Sequence, residues 1–302
     1  MCFIEQNGKF LTIHIRYQHF SYFCFMTFLK QFFNFYINSS IHVALAVYGL
    51  TYITLVEYDI QYDEDILYFV FYATITGYNF VKYFGIAKFH HRRLARWLKV
   101  IQIFSLISFV LMGYYGLKLP SLMLVYIVIF GGITFFYAIP FLPKRIFIDK
   151  QNNLRSIGGL KVYVIAAVWT GVTVFLPLLS HELPISADVL ITGVQRYIFV
   201  ILLMLPFEIR DLKFDNLKLS TIPQKIGVKQ TKIIGVALIL SVFLLEFFKD
   251  EITVNGIIVL LVVLLVTLLF LLYSKIEQNK YYSSFWVEGL PILWLIILLA
   301  FN

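Results

Sequence analysis

The amino-acid sequence predicts an all-α membrane protein with nine transmembrane helices. Of its 302 residues, 60% are hydrophobic and 14% are charged, and the mean hydropathy is +0.83. A soluble domain is roughly half apolar and about a quarter charged. Long apolar stretches recur from about residue 41 to the C-terminus, which is more than one buried core can use. The composition excludes soluble globular, disordered, collagenous and disulfide-framework proteins.

Each predicted span approaches the roughly 20 apolar residues that an α-helix needs to cross a bilayer. The nine stretches are 39–56, 66–86, 98–117, 119–141, 159–179, 189–207, 231–248, 254–273 and 284–301. Only Lys118, Leu119 and Pro120 separate the third stretch from the fourth. We therefore expect a tight hairpin between these two spans.

Residues 1–38 are predicted to form an interfacial segment rather than a signal peptide. Charged residues interrupt the region where a signal peptide needs an apolar core and a cleavage site. Aromatic residues recur there at helical spacing, which is typical of a helix in the membrane interface, with a packed core helix as the alternative. Met26 is a candidate natural start, because residues 1–25 have neither a targeting nor a spanning pattern. Residues 39–302 form the membrane domain.

The distribution of Lys and Arg predicts the orientation. With a cytoplasmic N-terminus, the loops after spans two, four, six and eight and the adjoining helix ends hold 19 Lys and Arg residues. The opposite loops hold only Lys118 and Lys249. Because such cations concentrate in cytoplasmic loops, the C-terminus is expected on the opposite side. The same distribution argues against a nucleic-acid partner despite a formal net charge of +8, and leaves membrane lipid as the surroundings.

Three carboxylates lie at the predicted cytoplasmic end of span six. If residues 207–215 are helical, Glu208, Asp211 and Asp215 share one face. Converging carboxylates repel one another unless a cation lies among them, and Mg²⁺ prefers carboxylate oxygens together with substrate phosphates. The alternative is a solvated helix end whose acids pair with neighbouring cations such as Arg210.

Two further clusters lie at the same predicted end. The loop after span four holds Lys144 and Arg145 ahead of a glycine pair, groups that suit phosphate oxygens, with ordinary membrane anchoring as the alternative. Asn79 and Lys82 share a face near the end of span two, and polar residues in a span usually face a cavity or a partner. The alternatives are an interhelical hydrogen bond for Asn79 and snorkelling for Lys82.

Three other charged residues fall in or beside spans, and we interpret them as structural pairs: Arg196, Glu246 and Glu288.

Taken together, these segments resemble the UbiA superfamily of intramembrane prenyltransferases. The resemblance covers about residues 30–302. It rests on the nine spans and on Tyr137, Pro143-Lys144-Arg145, Gly158-Gly159, Glu208 to Asp215, Thr221 to Lys232, Tyr281-Tyr282 and Glu288-Gly289.

The resemblance implies transfer of a polyprenyl group from a diphosphate donor to a lipophilic acceptor, for example an aromatic one, at a cytoplasm-facing cavity. It implies that Asp211 and Asp215 are catalytic Mg²⁺ ligands, with Glu208 nearby. The expected contacts to the substrate diphosphate are Asn79, Lys82, Tyr137, Lys144, Arg145 and Arg210.

The first aspartate motif departs from the family pattern. Asn79 matches, but Phe80, Tyr83 and Ala87 stand where the family has aspartates. We therefore expect one Mg²⁺ site rather than two, with Lys82 offsetting part of the lost charge. The alternative is a diverged member that binds an isoprenoid or lipid, or that resembles a terpene cyclase. A secondary transporter is the alternative from another class, but repeated halves and interrupted helices are not apparent in the sequence.

Overall fold

The computed structural model describes residues 29–89, 96–138, 159–213 and 221–301, and these parts of the chain form ten helices. The helices are α1 (Leu29–Asn38), α2 (Ile41–Glu57), α3 (Glu64–Phe89), α4 (Arg96–Gly116), α5 (Ser121–Ala138), α6 (Leu160–Ser180), α7 (Ala187–Asp211), α8 (Ile222–Glu246), α9 (Val254–Tyr273) and α10 (Tyr282–Phe301). Each predicted span overlaps one of the helices α2 to α10.

Six of the helices are long and apolar enough to cross a membrane, namely α4 and α6 to α10. Helices α1 and α2 are bent by 56° relative to each other and together form a seventh candidate. Helix α3 is long enough, but polar residues such as Asn79 and Lys82 lower its apolar character, and the apolar part of α5 is short. The chain is a multi-pass membrane protein, while the count of nine spans and the orientation stay predictions.

The centre of the bundle is formed by α2 and α7. Helix α2 packs against α3, α6 and α10, and α7 packs against α6, α8 and α9. Side chains such as Leu50, Ile53 and Phe199 are fully buried there. Helix α4 and helix α5 instead expose large apolar side chains, including Leu106 and Val128, as expected of a surface that faces lipid.

A buried arginine joins the two central helices. The Arg196 guanidinium donates to the Leu50 carbonyl oxygen at 2.8 Å and to the Thr54 hydroxyl at 3.4 Å, and lies 3.9 Å from the Glu57 carboxylate. It also lies 5.1 Å from the ring centroid of Trp294. Charged groups inside a membrane bundle are expensive unless paired, and Arg196 has the structural pairing that the sequence predicted.

Glu246 is likewise paired. Its carboxylate accepts from Gln195 at 2.8 Å and lies 2.9 Å from the Lys249 ammonium.

Helix α8 begins at Ile222, nine residues before the predicted start at residue 231. Polar residues such as Lys225 and Lys229 interrupt the first part of this helix, so the apolar pattern did not include it. Two side chains compensate for the exposed backbone donors of its first turn. Gln224 accepts from the Thr221 N–H at 3.0 Å, and Glu208 accepts from the Ile222 N–H at 3.3 Å.

Candidate functional site

The described site residues lie at one end of the bundle, where α1, α3, α7 and the segment that precedes α10 meet. Gln278 donates to the Pro206 carbonyl oxygen at 3.2 Å, which ties this segment to α7. Lys82 of α3 and Lys280 of the segment both bind α1. We call Lys82, Arg210 and Lys280 the cationic cluster.

Asn79 holds the turn between α1 and α2. Its amide oxygen accepts from the Ser40 hydroxyl at 2.8 Å, and its amide nitrogen donates to the Ser39 carbonyl oxygen at 3.0 Å and to the Ser105 hydroxyl at 2.8 Å. Ser40 has a φ of 64°, a left-handed conformation that costs a non-glycine residue roughly 1–2 kcal/mol. These bonds are the interhelical alternative considered for Asn79, and they compensate for the strained turn. A contact to diphosphate stays a prediction.

Lys82 and Tyr83 both reach the last residue of α1. The Lys82 ammonium lies 3.4 Å from the Asn38 carbonyl oxygen, and the Tyr83 hydroxyl donates to the same oxygen at 2.8 Å. Lys82 is exposed and has three N–H donors, so this single long bond leaves donors that an anion can use. Tyr83, which stands where the family has an aspartate, instead joins α3 to α1.

Glu208 is buried at the contact between α7 and α8. One of its oxygens accepts from the Ile222 N–H, at the N-terminus of α8. A helix N-terminus carries a partial positive charge, which stabilises a carboxylate there. Glu208 therefore fixes the start of α8 relative to the end of α7, a role that its spacing alone did not reveal.

Arg210 and Asp211 form an ion pair at the end of α7. The Arg210 Nε and Nη2 atoms both lie 2.8 Å from the same oxygen of Asp211, Oδ1. The Arg210 guanidinium also lies 5.2 Å from the Phe207 ring centroid. The Asp211 side chain is about one quarter exposed, so the carboxylate is partly accessible to a cation.

The remaining predicted site residues are only partly covered by the structure. Tyr137 belongs to α5, and Lys144, Arg145 and Asp215 lie outside the described residues. Within the described ranges, no three His, Cys, Asp or Glu side chains come together as metal ligands. Mg²⁺ commonly uses only one or two carboxylates together with substrate phosphates, and the partly exposed carboxylate of Asp211 fits that pattern.

Two residues at this end of the bundle were not predicted as site residues. Lys280 counts in the sequence only as one of the loop cations that predict the orientation, yet its ammonium lies 3.1 Å from the Asn34 side-chain oxygen on α1. Glu288, interpreted as a structural pair, lies within electrostatic range of both Lys82 and Arg210. The first residues of α10, Tyr282–Val287, form a π-helical turn, a local geometry frequent at functional sites. The Glu288-Gly289 pattern in the sequence was the signal that could have indicated this region.

Two hydrogen bonds of His42, a residue of α2, join the π-helical turn to α1 and α2. His42 Nε2 lies 2.8 Å from the Phe285 carbonyl oxygen, and His42 Nδ1 lies 2.8 Å from the Tyr36 hydroxyl. A carbonyl oxygen only accepts, so Nε2 donates. In a neutral imidazole Nδ1 then accepts, and the Tyr36 hydroxyl donates to it.

The opposite end of the bundle holds a polar cleft of about 570 Å³. Its lining includes Asp63, Asp65, Lys118 and His181. The Lys118 ammonium lies 2.8 Å from Asp65, and this hydrogen bond raises the pKa of Lys118 above its usual value. His181 lies 3.4 Å from Asp63, so these acids have basic partners of their own. The predicted cavity on the cytoplasmic side stays a prediction.

Comparison with known proteins identifies the fold. No protein-family model matches the sequence, and no curated protein matches it. The chain is similar in structure to a solved digeranylgeranylglyceryl phosphate synthase, a protein studied in membranes. The two share 15% sequence identity with a TM-score of 0.53, over 90% of this chain and 97% of that one. The predicted resemblance is therefore confirmed at the level of the fold, which this chain shares with that solved protein.

Proposed function

We propose that the chain is a membrane prenyltransferase that moves a polyprenyl group from a diphosphate donor to a lipophilic acceptor. The observation that supports the proposal is that Lys82 and the Arg210–Asp211 ion pair both lie within electrostatic range of Glu288, in a bundle similar in fold to a solved digeranylgeranylglyceryl phosphate synthase. A carboxylate that can bind a metal, next to cations that can bind phosphate, is what departure of a diphosphate requires.

The proposed reaction starts with cleavage of the allylic C–O bond, whose electron pair leaves with the diphosphate. Arg210 and Lys82 stabilise that charge, and Lys144, Arg145 and Tyr137 are proposed as further contacts. The apolar bundle shields the resulting carbocation from water until the acceptor attacks it. The acceptor then loses a proton, which balances the reaction.

Mg²⁺, when bound, would add positive charge beside the leaving diphosphate. Its proposed ligands are Asp211 and Asp215, with Glu208 nearby. Because Glu208 also caps α8, Asp211 is the described residue best suited to the metal. We assign Asn79 chiefly to positioning, because its amide nitrogen already donates twice and only one lone pair of its oxygen is left for a further donor.

Two acceptor classes follow from the comparisons and the sequence. The similar protein is named for a glyceryl phosphate product, which favours an alcohol acceptor. The family resemblance also includes aromatic acceptors. Membranes with the expressed chain should therefore be tested against a panel of labelled prenyl diphosphates with each class.

The decisive variant is Asp211→Ala. Removing one preorganised charge contact typically lowers the rate by about 10²–10³. Asp250→Ala is the matched control, because Asp250 is an exposed aspartate that is not part of the end of the bundle that holds the cationic cluster. Full transfer by Asp211→Ala would refute the assignment.

A second candidate is a diverged member that binds or cyclises isoprenoids. The observation that favours it is Tyr83, which makes a helix contact where the family places an aspartate. Diphosphate release without an acceptor adduct would indicate cyclisation or hydrolysis. Lipid binding without any release would indicate a binding role.

A further inference from the structure

Two lysines from other parts of the chain contact helix α1, at residues one helical turn apart. The Lys280 ammonium lies 3.1 Å from the Asn34 side-chain oxygen, and the Lys82 ammonium lies 3.4 Å from the Asn38 carbonyl oxygen. Asn34 and Asn38 are one helical turn apart, about 6 Å along the axis. Two ammonium groups from distant parts of the chain therefore both contact the C-terminal part of α1, close enough for their charges to interact.

The position of Lys280 is fixed by its neighbours. The Tyr281 hydroxyl donates to the same Asn34 oxygen at 2.9 Å. The Phe33 ring contacts the rings of Tyr281 and Phe285 edge-on, each at 5.1 Å between centroids. These contacts hold the segment around Lys280 against α1, so its ammonium is preorganised rather than freely mobile.

The two lysines form a region of excess positive charge. Across the described parts of the chain, Lys82 and Lys280 bind neutral oxygens, and neither forms an ion pair with a carboxylate there. Both are exposed, and their charges repel each other. Among the described residues, Glu288 is the acid within electrostatic range of Lys82, and it is also within range of Arg210.

We propose that Lys82 and Lys280 form a subsite for a phosphate or diphosphate head group, and that Glu288 is the counter-ion such a head group replaces. Two ammonium groups carry the charge of one Mg²⁺. The subsite would thus replace the metal that loss of the first aspartate motif removes. The inference rests on the proposed function only in taking the donor diphosphate as the natural ligand.

The test measures binding of inorganic diphosphate to the full chain in nanodiscs of neutral lipid, with EDTA present. We expect binding to persist without Mg²⁺. Lys280→Gln and Lys82→Gln should each weaken it about ten-fold, the size expected for one charged hydrogen bond. Glu288→Gln should strengthen it several-fold, because the competing carboxylate is gone.

Lys275→Gln is the matched control, because Lys275 is an exposed lysine of the same segment without a contact to α1 in the described structure. Lys280→Arg should restore most of the binding, which excludes simple misfolding of Lys280→Gln. Nanodiscs with anionic lipid identify the natural source of the head group. Competition by the lipid supports the subsite with a lipid phosphate as occupant, and lack of competition supports a diphosphate occupant.

Two results would overturn the subsite: unchanged binding in Lys280→Gln, or weaker binding in Glu288→Gln. These results are distinct from failure of the proposed function. Lysine-dependent binding without turnover of any prenyl diphosphate would leave the subsite standing and remove the transferase assignment. Turnover of a prenyl diphosphate combined with unchanged binding in Lys280→Gln would support the transferase assignment and overturn the subsite.

Discussion

The Arg210 guanidinium binds the Asp211 carboxylate through two nitrogen atoms, Nε and Nη2, both directed at Oδ1 at 2.8 Å. This arrangement between adjacent residues orients the carboxylate and leaves Oδ2 for a different cation. A planar fork can make both bonds at once, whereas a lysine ammonium is a point charge.

Arg210→Lys should therefore keep the charge and lose the orientation of Asp211. We expect diphosphate release to fall by about ten-fold or more, since small misplacements in an active site are costly. The measurement is the initial rate of release from a prenyl diphosphate at saturating Mg²⁺. Lys213→Arg is the control, because it changes a neighbouring cation while keeping its charge. An unchanged rate in Arg210→Lys would show that the paired geometry is irrelevant to turnover.

Asn79→Ala should destabilise the turn between α1 and α2. The substitution removes three hydrogen bonds and leaves buried polar groups of Ser39 and Ser40 without them. The expected cost is about 1–3 kcal/mol. Thermal unfolding in detergent should show a lower Tm, while Asn255→Ala, at an exposed asparagine, should change it little. If the Tm is unchanged but diphosphate binding is lost, Asn79 contacts the ligand directly and the positioning role is wrong.

Arg196→Ala should be more damaging. It removes the cation that faces Glu57 and opens a cavity between α2, α7 and Trp294. Loss of one partner from a buried pair costs about 3–5 kcal/mol, which corresponds to a drop in Tm of roughly 5–10 °C. Lys229→Ala, at an exposed site on α8, is the comparison. Equal Tm values for the two variants would contradict the structural assignment of Arg196.

Gly227→Ala should disrupt the start of α8. Gly227 has φ 81° and ψ 161°, a conformation that is essentially restricted to glycine. We expect a cost of about 1–3 kcal/mol, visible as a lower Tm. Gly113→Ala is a sharp control, because Gly113 is helical and has open space around its Cβ position, so alanine there should be neutral or stabilising. The prediction fails if both variants behave alike.

The predicted orientation can be tested by cysteine labelling. Cys2 and Cys24 are the native cysteines and would first be replaced by serine. Lys118→Cys should then react with a membrane-impermeant reagent from outside intact cells, and Lys275→Cys only after the membrane is opened. The reverse labelling pattern would show that the orientation in the membrane is opposite to the predicted one.

The sequence determined the helices and the end of the bundle where chemistry is expected. Length and apolarity are local properties, so α9 matches its predicted bounds, 254–273, at both ends. Asp211 and Arg210 are adjacent in the chain, so their proximity also required no tertiary information. The sequence resemblance anticipated the fold that the chain shares with the solved synthase for the same reason, because it was carried by short local motifs.

Only the tertiary structure decided which of these residues meet. Lys280 and Asn34 are separated by 246 residues, and no local pattern places one beside the other. The direction in which Asn79 donates likewise depends on where α1, α2 and α4 pack around α3. A helix face is set by sequence spacing, but its neighbour is set by the packing of the whole bundle, and that packing is what brings Lys82 and Lys280 to the same part of α1.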